Sequence, residues 1–236
     1  MREIIAHLTD RIKRTPEVES FRFKIKDKID FSPGQAAQII FDGQHIENRQ
    51  VNKYLSFSSS PTKDYFELSK KLSASRFSQN LRDLRLGDKI QIKAPMGKCV
   101  FKEEYKKIAF LIGGIGITPV ISIIEYIIEK KLDTDVSLFY SNRTDEDIAF
   151  RKELDNWRQI NKNIKVYYTL TDCQPKDKSC FSGYIDEKML KENTSDFEQR
   201  MIFIFGPNAM VDMMKALSLK LGCSDKNILT ERFIGY

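Results

Sequence analysis

From Ile108 to Ile128 the chain is apolar almost throughout, yet Gly113, Gly114 and Gly116 fall together in its middle. The run approaches the ~20 residues a membrane-spanning helix needs. Its glycines, with Pro119, Ser122 and Glu125, argue against one continuous helix. A buried strand over 108–112, a glycine turn and an amphipathic helix over 119–131 fit better. Thr118 suits the N-cap and Pro119 the first helical position, where a missing N–H costs nothing. Glycine lets main chain turn tightly and approach a ligand, and a helix N-terminus favours negative charge. Taken alone, the junction reads equally as a ligand site or a steric turn. Its spacing is Gly-x-Gly-x-x-Pro, not the Gly-x-Gly-x-x-Gly dinucleotide fingerprint.

A second junction shifts that balance. Met201-Ile202-Phe203-Ile204-Phe205 ends in Gly206-Pro207-Asn208, and a helix over 208–221 opens. Apolar strands at 108–112, 136–140, 164–170 and 201–205 alternate with helices at 119–131, 147–159, 186–192 and 208–221. That grammar predicts a parallel α/β sheet, and its two glycine junctions bracket the crevice where such sheets bind ligands. Before residue 101 the grammar differs. Short strands at 2–9, 19–26, 36–41, 66–71 and 89–93 are separated by turn signals such as Ser32-Pro33-Gly34 and Leu86-Gly87-Asp88. One short helix is expected near Ser78–Leu84. Phe21, Phe23 and Ile25 alternate with Arg22, Lys24 and Lys26, as in a strand buried on one face. The expectation is two domains: an antiparallel β-barrel over 1–101 and a parallel α/β domain over 102–236, with 102–107 as linker.

At this point the sequence resembles the ferredoxin-NADP reductase superfamily, whose cofactor half carries a GGxGxTP turn and a later CGP-x-x-M segment. Gly113-Gly114-Ile115-Gly116-Ile117-Thr118-Pro119 matches the first in full. Gly206-Pro207-Asn208-Ala209-Met210 matches the second, with Phe205 in place of the cysteine that lies beside the nicotinamide in relatives. The resemblance implies hydride transfer from nicotinamide C4 to flavin N5, with FAD and NADP as cofactors and NAD possible. Relatives bind flavin through Arg-x-Tyr-Ser followed by Ser-Pro. Here Lys53-Tyr54-Leu55-Ser56 precedes Ser60-Pro61, so Lys53 replaces arginine and Leu55 tyrosine. Lysine neutralises a pyrophosphate as a point charge without arginine's fork. Strand alternation puts Lys53 and Leu55 on one face and Tyr54 on the other.

By the same resemblance Ser56 lies within reach of flavin N5. Leu68, Ser69 and Lys70, with Arg76, Phe77 and Ser78, stand where relatives hold the ribityl chain and pyrophosphate. Ser78 is expected to cap the helix there. Phe31–Gln35 and Ala94–Lys98 match barrel landmarks and are taken as structural. The dinucleotide is implied to meet Gly114, Gly116, Thr118, Pro119, Gly206, Pro207 and Met210. At the C-terminus, Glu231 would position nicotinamide or relay protons, and either Tyr236 or Phe233 would cover the flavin. Strand 136–140 runs into Ser141 and Arg143, with no acid at its immediate end, which tilts the choice towards NADPH.

Residues 1–100 hold 19 Lys+Arg against 12 Asp+Glu, a balance of +7 within the chain's net +6. A basic half suits an acidic electron carrier, ferredoxin or flavodoxin, because complementary charge speeds encounter. The four cysteines do not supply the C-x4-C-x2-C run of a plant-type iron–sulfur cluster. No metal site, nucleic acid or membrane span is expected. The charged N-terminus lacks a signal peptide's apolar core, and unpaired cysteine spacing fits a cytoplasmic protein. The alternatives are a free-flavin reductase, an oxygenase's reductase component, or a flavin-binding docking module with little turnover.

Overall fold

The computed structural model describes residues 2–26 and 28–233, and the chain divides into two units. The first comprises Met1–Phe101 with Thr118–Glu129. Its strands are β1 (Arg2–Lys13), β2 (Val18–Lys24), β3 (Ala36–Ile40), β4 (Lys53–Ser56), β5 (Phe66–Lys71) and β6 (Lys89–Met96). They form one antiparallel sheet in the order β4-β3-β6-β1-β2-β5. Phe21 and Phe23 of β2 are fully buried beside Leu8, Ile39, Leu68 and Ile92, as the alternation requires. Register shifts between Leu8 and Asp10 and between Ala36 and Gln38 are the irregularities that let a sheet coil. The two edge strands then approach each other, joined by a bridge between Phe57 and Leu68. This is the expected barrel, fastened along a seam. Helix α1 (Arg76–Asp83) sinks Phe77 and Leu81 into its core.

Helix α2 (Thr118–Glu129) belongs with this unit. Glu125 accepts a hydrogen bond from the Ser60 N–H at 2.7 Å, and Lys63 pairs with Glu125 at 3.2 Å and also with Glu129. Among the described residues no helix is long and apolar enough to cross a membrane.

The second unit comprises Lys102–Ile117 and Lys130–Tyr236. Strands β7 (Lys107–Gly113), β8 (Asp135–Asn142), β9 (Ile164–Leu170), β10 (Phe181–Ser182), β11 (Met201–Gly206) and β12 (Ile228–Arg232) make a parallel sheet in the order β10-β9-β8-β7-β11-β12. The central strands are buried on both faces, which explains their unbroken apolar runs. Helices α4 (Glu187–Asn193) and α5 (Asn208–Lys220) cover one face through Met189, Leu190, Val211 and Met214. Helix α3 (Arg151–Ile160) meets the other, where Asp155 accepts from the Tyr168 hydroxyl at 3.0 Å.

Three sequence expectations are corrected here. The helix expected over 147–159 is instead a 3-10 turn, Asp145–Asp147, followed by α3. Thr144 and Asp147 close that turn by reciprocal bonds, and Phe150 takes a left-handed φ of 61° before the helix starts. Thr118 is not an N-cap, because a 3-10 turn, Gly114–Ile117, runs directly into α2 and makes Thr118 its first residue. Pro119 still sits in the first turn, where its lacking N–H breaks no bond. The sequence reading also omitted β10 and β12.

Candidate functional site

In the first unit the candidate residues gather along the seam. Ser56 closes β4 with only 4 % of its surface exposed. Leu55 packs partly on the core, Tyr54 is exposed, and the Lys53 ammonium lies 6.0 Å from the Phe77 ring centroid. Lys70 is 6 % exposed and donates to the Lys71 carbonyl at 2.7 Å. Burial, then the neighbouring charges of Lys53 and Lys71, push its pKa down to about 8. A buried cation beside other cations is stabilised by a bound anion. That arrangement fits the phosphates of FAD.

Other seam side chains are buried. Leu68 and Phe77 lie in the core, and Ser69 is hydrogen-bonded to Ser20 and Ser58. Only their main chain could meet a ligand. Ser78 is not the helix cap. Ser75 holds that position in extended conformation and accepts from the Ser78 N–H at 3.3 Å. The helix begins at Arg76 because the Ser75 hydroxyl reaches the third residue on, the usual capping geometry. The N–H groups of Arg76 and Phe77 lack intrahelical acceptors and are the ones suited to an anion.

In the second unit the two glycine junctions nest against each other at the carboxyl edge of the sheet. A Cβ on Gly113 would lie 2.5 Å from the Met210 sulfur and 3.2 Å from Pro207. One on Gly116 would lie 2.5 Å from the Phe205 carbonyl oxygen. Gly206 faces Met210 and the Gly113 N–H at 3.2 and 3.3 Å. Gly114, at φ +51°, has open space where its Cβ would be. Its neighbours thus form a floor of main chain with one open approach, which fits a dinucleotide phosphate. Phe205 is fully buried, its ring 5.9 Å from that of Phe203.

The C-terminal segment joins this floor. Glu231 pairs in register with Phe205, and the Phe233 N–H donates to the Gly206 carbonyl at 3.0 Å. Burial raises the Glu231 pKa. Arg232 locks the strand to α5 through Asp212 at 2.6 Å. Tyr236 lies outside the described residues. At the end of β8, Ser141 pairs with Gly113. Arg143 lies 3.5 Å from Asp147, and its carbonyl accepts from the Asp172 N–H at 2.9 Å. His7 and His45 are exposed.

Comparison with known proteins bears on both units. Residues 6–101 match the oxidoreductase FAD-binding domain, and residues 110–216 match the oxidoreductase NAD-binding domain. The chain is 32 % identical over 199 residues to NADH-cytochrome b5 reductase 1 of Dictyostelium discoideum, covering 80 % of this chain and 69 % of that protein. The chain belongs to the ferredoxin-NADP reductase-like flavoprotein reductases. It is an NAD(P)H-dependent reductase with FAD- and NAD(P)-binding domains. Nitrate reductase [NADH] 1 of Nicotiana tabacum is 27 % identical over 96 % of the chain, which spans only 28 % of that protein. The solved cytochrome P450 reductase GcoB of Amycolatopsis superposes with a TM-score of 0.84 at 18 % identity, covering 98 % of this chain and 70 % of that one, a likeness of fold.

The sequence reading missed the burial of Lys70, the Ser75 cap and the strand that carries Glu231. Three serines at 73, 75 and 78 gave no signal to choose among them. Lys70 shares its strand face with Phe66 and Leu68, and only its residue type suggests solvent.

Proposed function

We propose that the chain takes a hydride from NAD(P)H onto FAD held along the barrel seam and passes the electrons to an acidic carrier protein, ferredoxin or flavodoxin. The buried Lys70, with Lys53 beside it and Ser56 on the facing edge strand, is the observation that carries this reading. The flavin, when bound, supplies the redox chemistry, accepting electrons as a pair and releasing them singly. Lys53 and Lys70 neutralise its pyrophosphate, aided by the N–H groups of Arg76 and Phe77. Ser56 offers its hydroxyl to the ring nitrogen that receives hydride, and Leu55 supplies an apolar wall. In the second unit the turn at Gly114–Gly116 takes the dinucleotide phosphates. Gly206, Pro207 and Met210 form the floor beneath. Glu231, kept protonated to higher pH by burial, holds a proton near the dinucleotide, and either Phe233 or Tyr236 supplies aromatic cover.

The acceptor follows from charge. The excess of +7 over residues 1–100 attracts an acidic partner. Cytochrome b5, which the amoebal relative's name contains, is tested beside ferredoxin and flavodoxin. The preferred dinucleotide is NADH. Arg143 lies 3.5 Å from Asp147, whose carboxylate offsets the positive charge a 2′-phosphate would need. This reverses the tilt that Ser141 and Arg143 give by residue type. Four cysteines without paired spacing support a cytoplasmic setting.

The test is anaerobic mixing of FAD-loaded protein with NADH and then NADPH while the flavin band is followed. Bleaching, faster with NADH, and recolouring on addition of an acidic carrier support the proposal. Retained FAD that neither dinucleotide bleaches refutes it. Protein that loses FAD in gel filtration yet reduces added flavin supports a free-flavin reductase instead.

A further inference from the structure

We propose that Glu67 is a positioning residue for the end of β4 that carries Ser56, its buried carboxylate fixing the segment after Ser56 through Ser58 and Ser59. The inference rests on the flavin-reductase reading above.

The last ladder pair of β4 is Ser56 with Ala36. Beyond it the Phe57 N–H still donates to the Gln35 carbonyl at 2.9 Å, and from Ser58 onward the chain turns to β5, where the seam closes. Strand alternation would turn Glu67 and Ser69 towards water. Both are instead 2 % exposed. A carboxylate leaves water only when charge and hydrogen bonds compensate it. Glu67 accepts from Arg14 Nη2 at 3.1 and 3.0 Å, from Arg22 Nε at 2.9 Å and from the Ser58 hydroxyl at 3.1 Å. Its main chain completes the grip. The Ser58 N–H donates to the Glu67 carbonyl at 2.8 Å, and the Glu67 N–H donates to the Ser59 hydroxyl at 2.9 Å.

These bonds close a ring. Arg14 Nε donates to the Ser20 hydroxyl at 2.8 Å, Ser20 meets Ser69 at 2.6 Å, and Ser69 meets Ser58 at 2.7 Å. Ser58 returns to Glu67, which Arg14 already holds. An arginine can only donate and a carboxylate can only accept. With the Ser58 proton on Glu67 and every bond of the ring made, the hydroxyl protons run from Ser20 to Ser69 to Ser58 to Glu67, and Ser69 also lies 3.5 Å from the Glu67 carboxylate. A neutral amide at position 67 could donate back and would destroy that direction. Any apolar pair could fasten a barrel seam. A polarised ring with two guanidiniums around one carboxylate also fixes where Ser58 stands, two residues from Ser56.

The test compares FAD-loaded wild type, Glu67→Gln, Ser58→Ala and Ser56→Ala in single-turnover bleaching at saturating NADH. Since small misplacements near reacting atoms cost up to about a hundredfold in rate, Glu67→Gln is expected to bleach about tenfold more slowly, with its half-saturating NADH unchanged and its bound-flavin spectrum shifted. Ser58→Ala is expected to slow in the same way. In the double variant Ser56→Ala/Glu67→Gln the losses are not multiplied, because Glu67 acts through Ser56. Wild-type rates in Glu67→Gln and Ser58→Ala, with only the melting temperature lowered, overturn the proposal, as do multiplied losses. Should Glu67→Gln fail to fold, Ser58→Ala decides, since it removes a single hydroxyl. A wild-type flavin that NADH does not bleach indicts the function itself, whereas bleached wild type with unaltered variants indicts this inference alone.

Discussion

Replacing Lys70 by methionine should make the flavin-free protein more stable and the flavin complex weaker. The Lys70 pKa is lowered from 10.5 to about 8, first by burial and then by the charges of Lys53 and Lys71. Each unit of pKa is worth about 1.4 kcal/mol, so the charged ammonium costs the folded state about 3 kcal/mol at neutral pH. Because the folded pKa lies below the unfolded one, that cost is complete below pH 8 and disappears as pH rises to 10.5. Methionine keeps much of the apolar stem and loses the bond to the Lys71 carbonyl, about 1 kcal/mol. The net gain in Lys70→Met is about 2 kcal/mol at pH 7, several degrees in melting temperature, and it falls to zero at about pH 10, where the remaining charge cost equals the lost bond, and reverses above that. FAD titrations followed by fluorescence quenching should show the opposite: weaker binding, with the wild type's own affinity falling as pH rises above about 8. A flavin-free Lys70→Met that melts below wild type at pH 7, or that binds FAD as tightly, would refute the reasoning.

Gly116→Ala should lower stability by about 3 kcal/mol, because its Cβ meets the Phe205 carbonyl at 2.5 Å. Gly114→Ala meets nothing and costs about 1 kcal/mol for its positive φ, so in denaturant melts it remains folded while NADH binding measured by calorimetry is lost. Arg200 is 4 % exposed and bonded to Asp135 and Asp196 at 2.5 and 2.7 Å. Arg200→Met should cost about 3 kcal/mol in urea unfolding. Burial alone would raise the Asp196 pKa, but Arg200 and Lys107 hold it at about 2. Wild type therefore loses stability as pH falls from about 4 through 2, and Arg200→Met should lose less over that range in thermal melts. The pH profile of flavin reduction should inflect above the ordinary carboxylate range because burial raises the Glu231 pKa, and Glu231→Gln should remove that inflection.

The fold class was legible because its two halves obey different periods. Phe21 and Phe23 alternate with charge, while Ile108–Ile112 and Met201–Phe205 are apolar without a break, and each pattern has one economical burial. Local capping was less legible. Ser73, Ser75 and Ser78 are chemically equal in sequence, and only the extended backbone of Ser75 makes it the cap. Strand β12 was hidden because Ile228–Arg232 is short and carries charge, and it becomes a strand by pairing with β11. Strand β5 misled for a third reason. Its outward residues look solvated until Arg14, Arg22 and Ser58, distant in sequence, cover them. Tertiary partners, not propensity, bury Glu67.

The nesting of the two glycine junctions has a consequence for tolerance to change. Gly116 abuts the peptide oxygen of Phe205 and not its side chain. Every amino acid carries that oxygen in the same place, so phenylalanine can replace the cysteine usual in relatives without loosening the fit. The glycines have no such latitude, since any substituent on Gly113 or Gly116 must displace an atom belonging to a stretch some ninety positions away. Evolution could therefore vary the ring or thiol presented at residue 205, while a side chain at 116 meets peptide atoms that no replacement at 205 removes, and one at 113 requires concerted change at Met210 and Pro207.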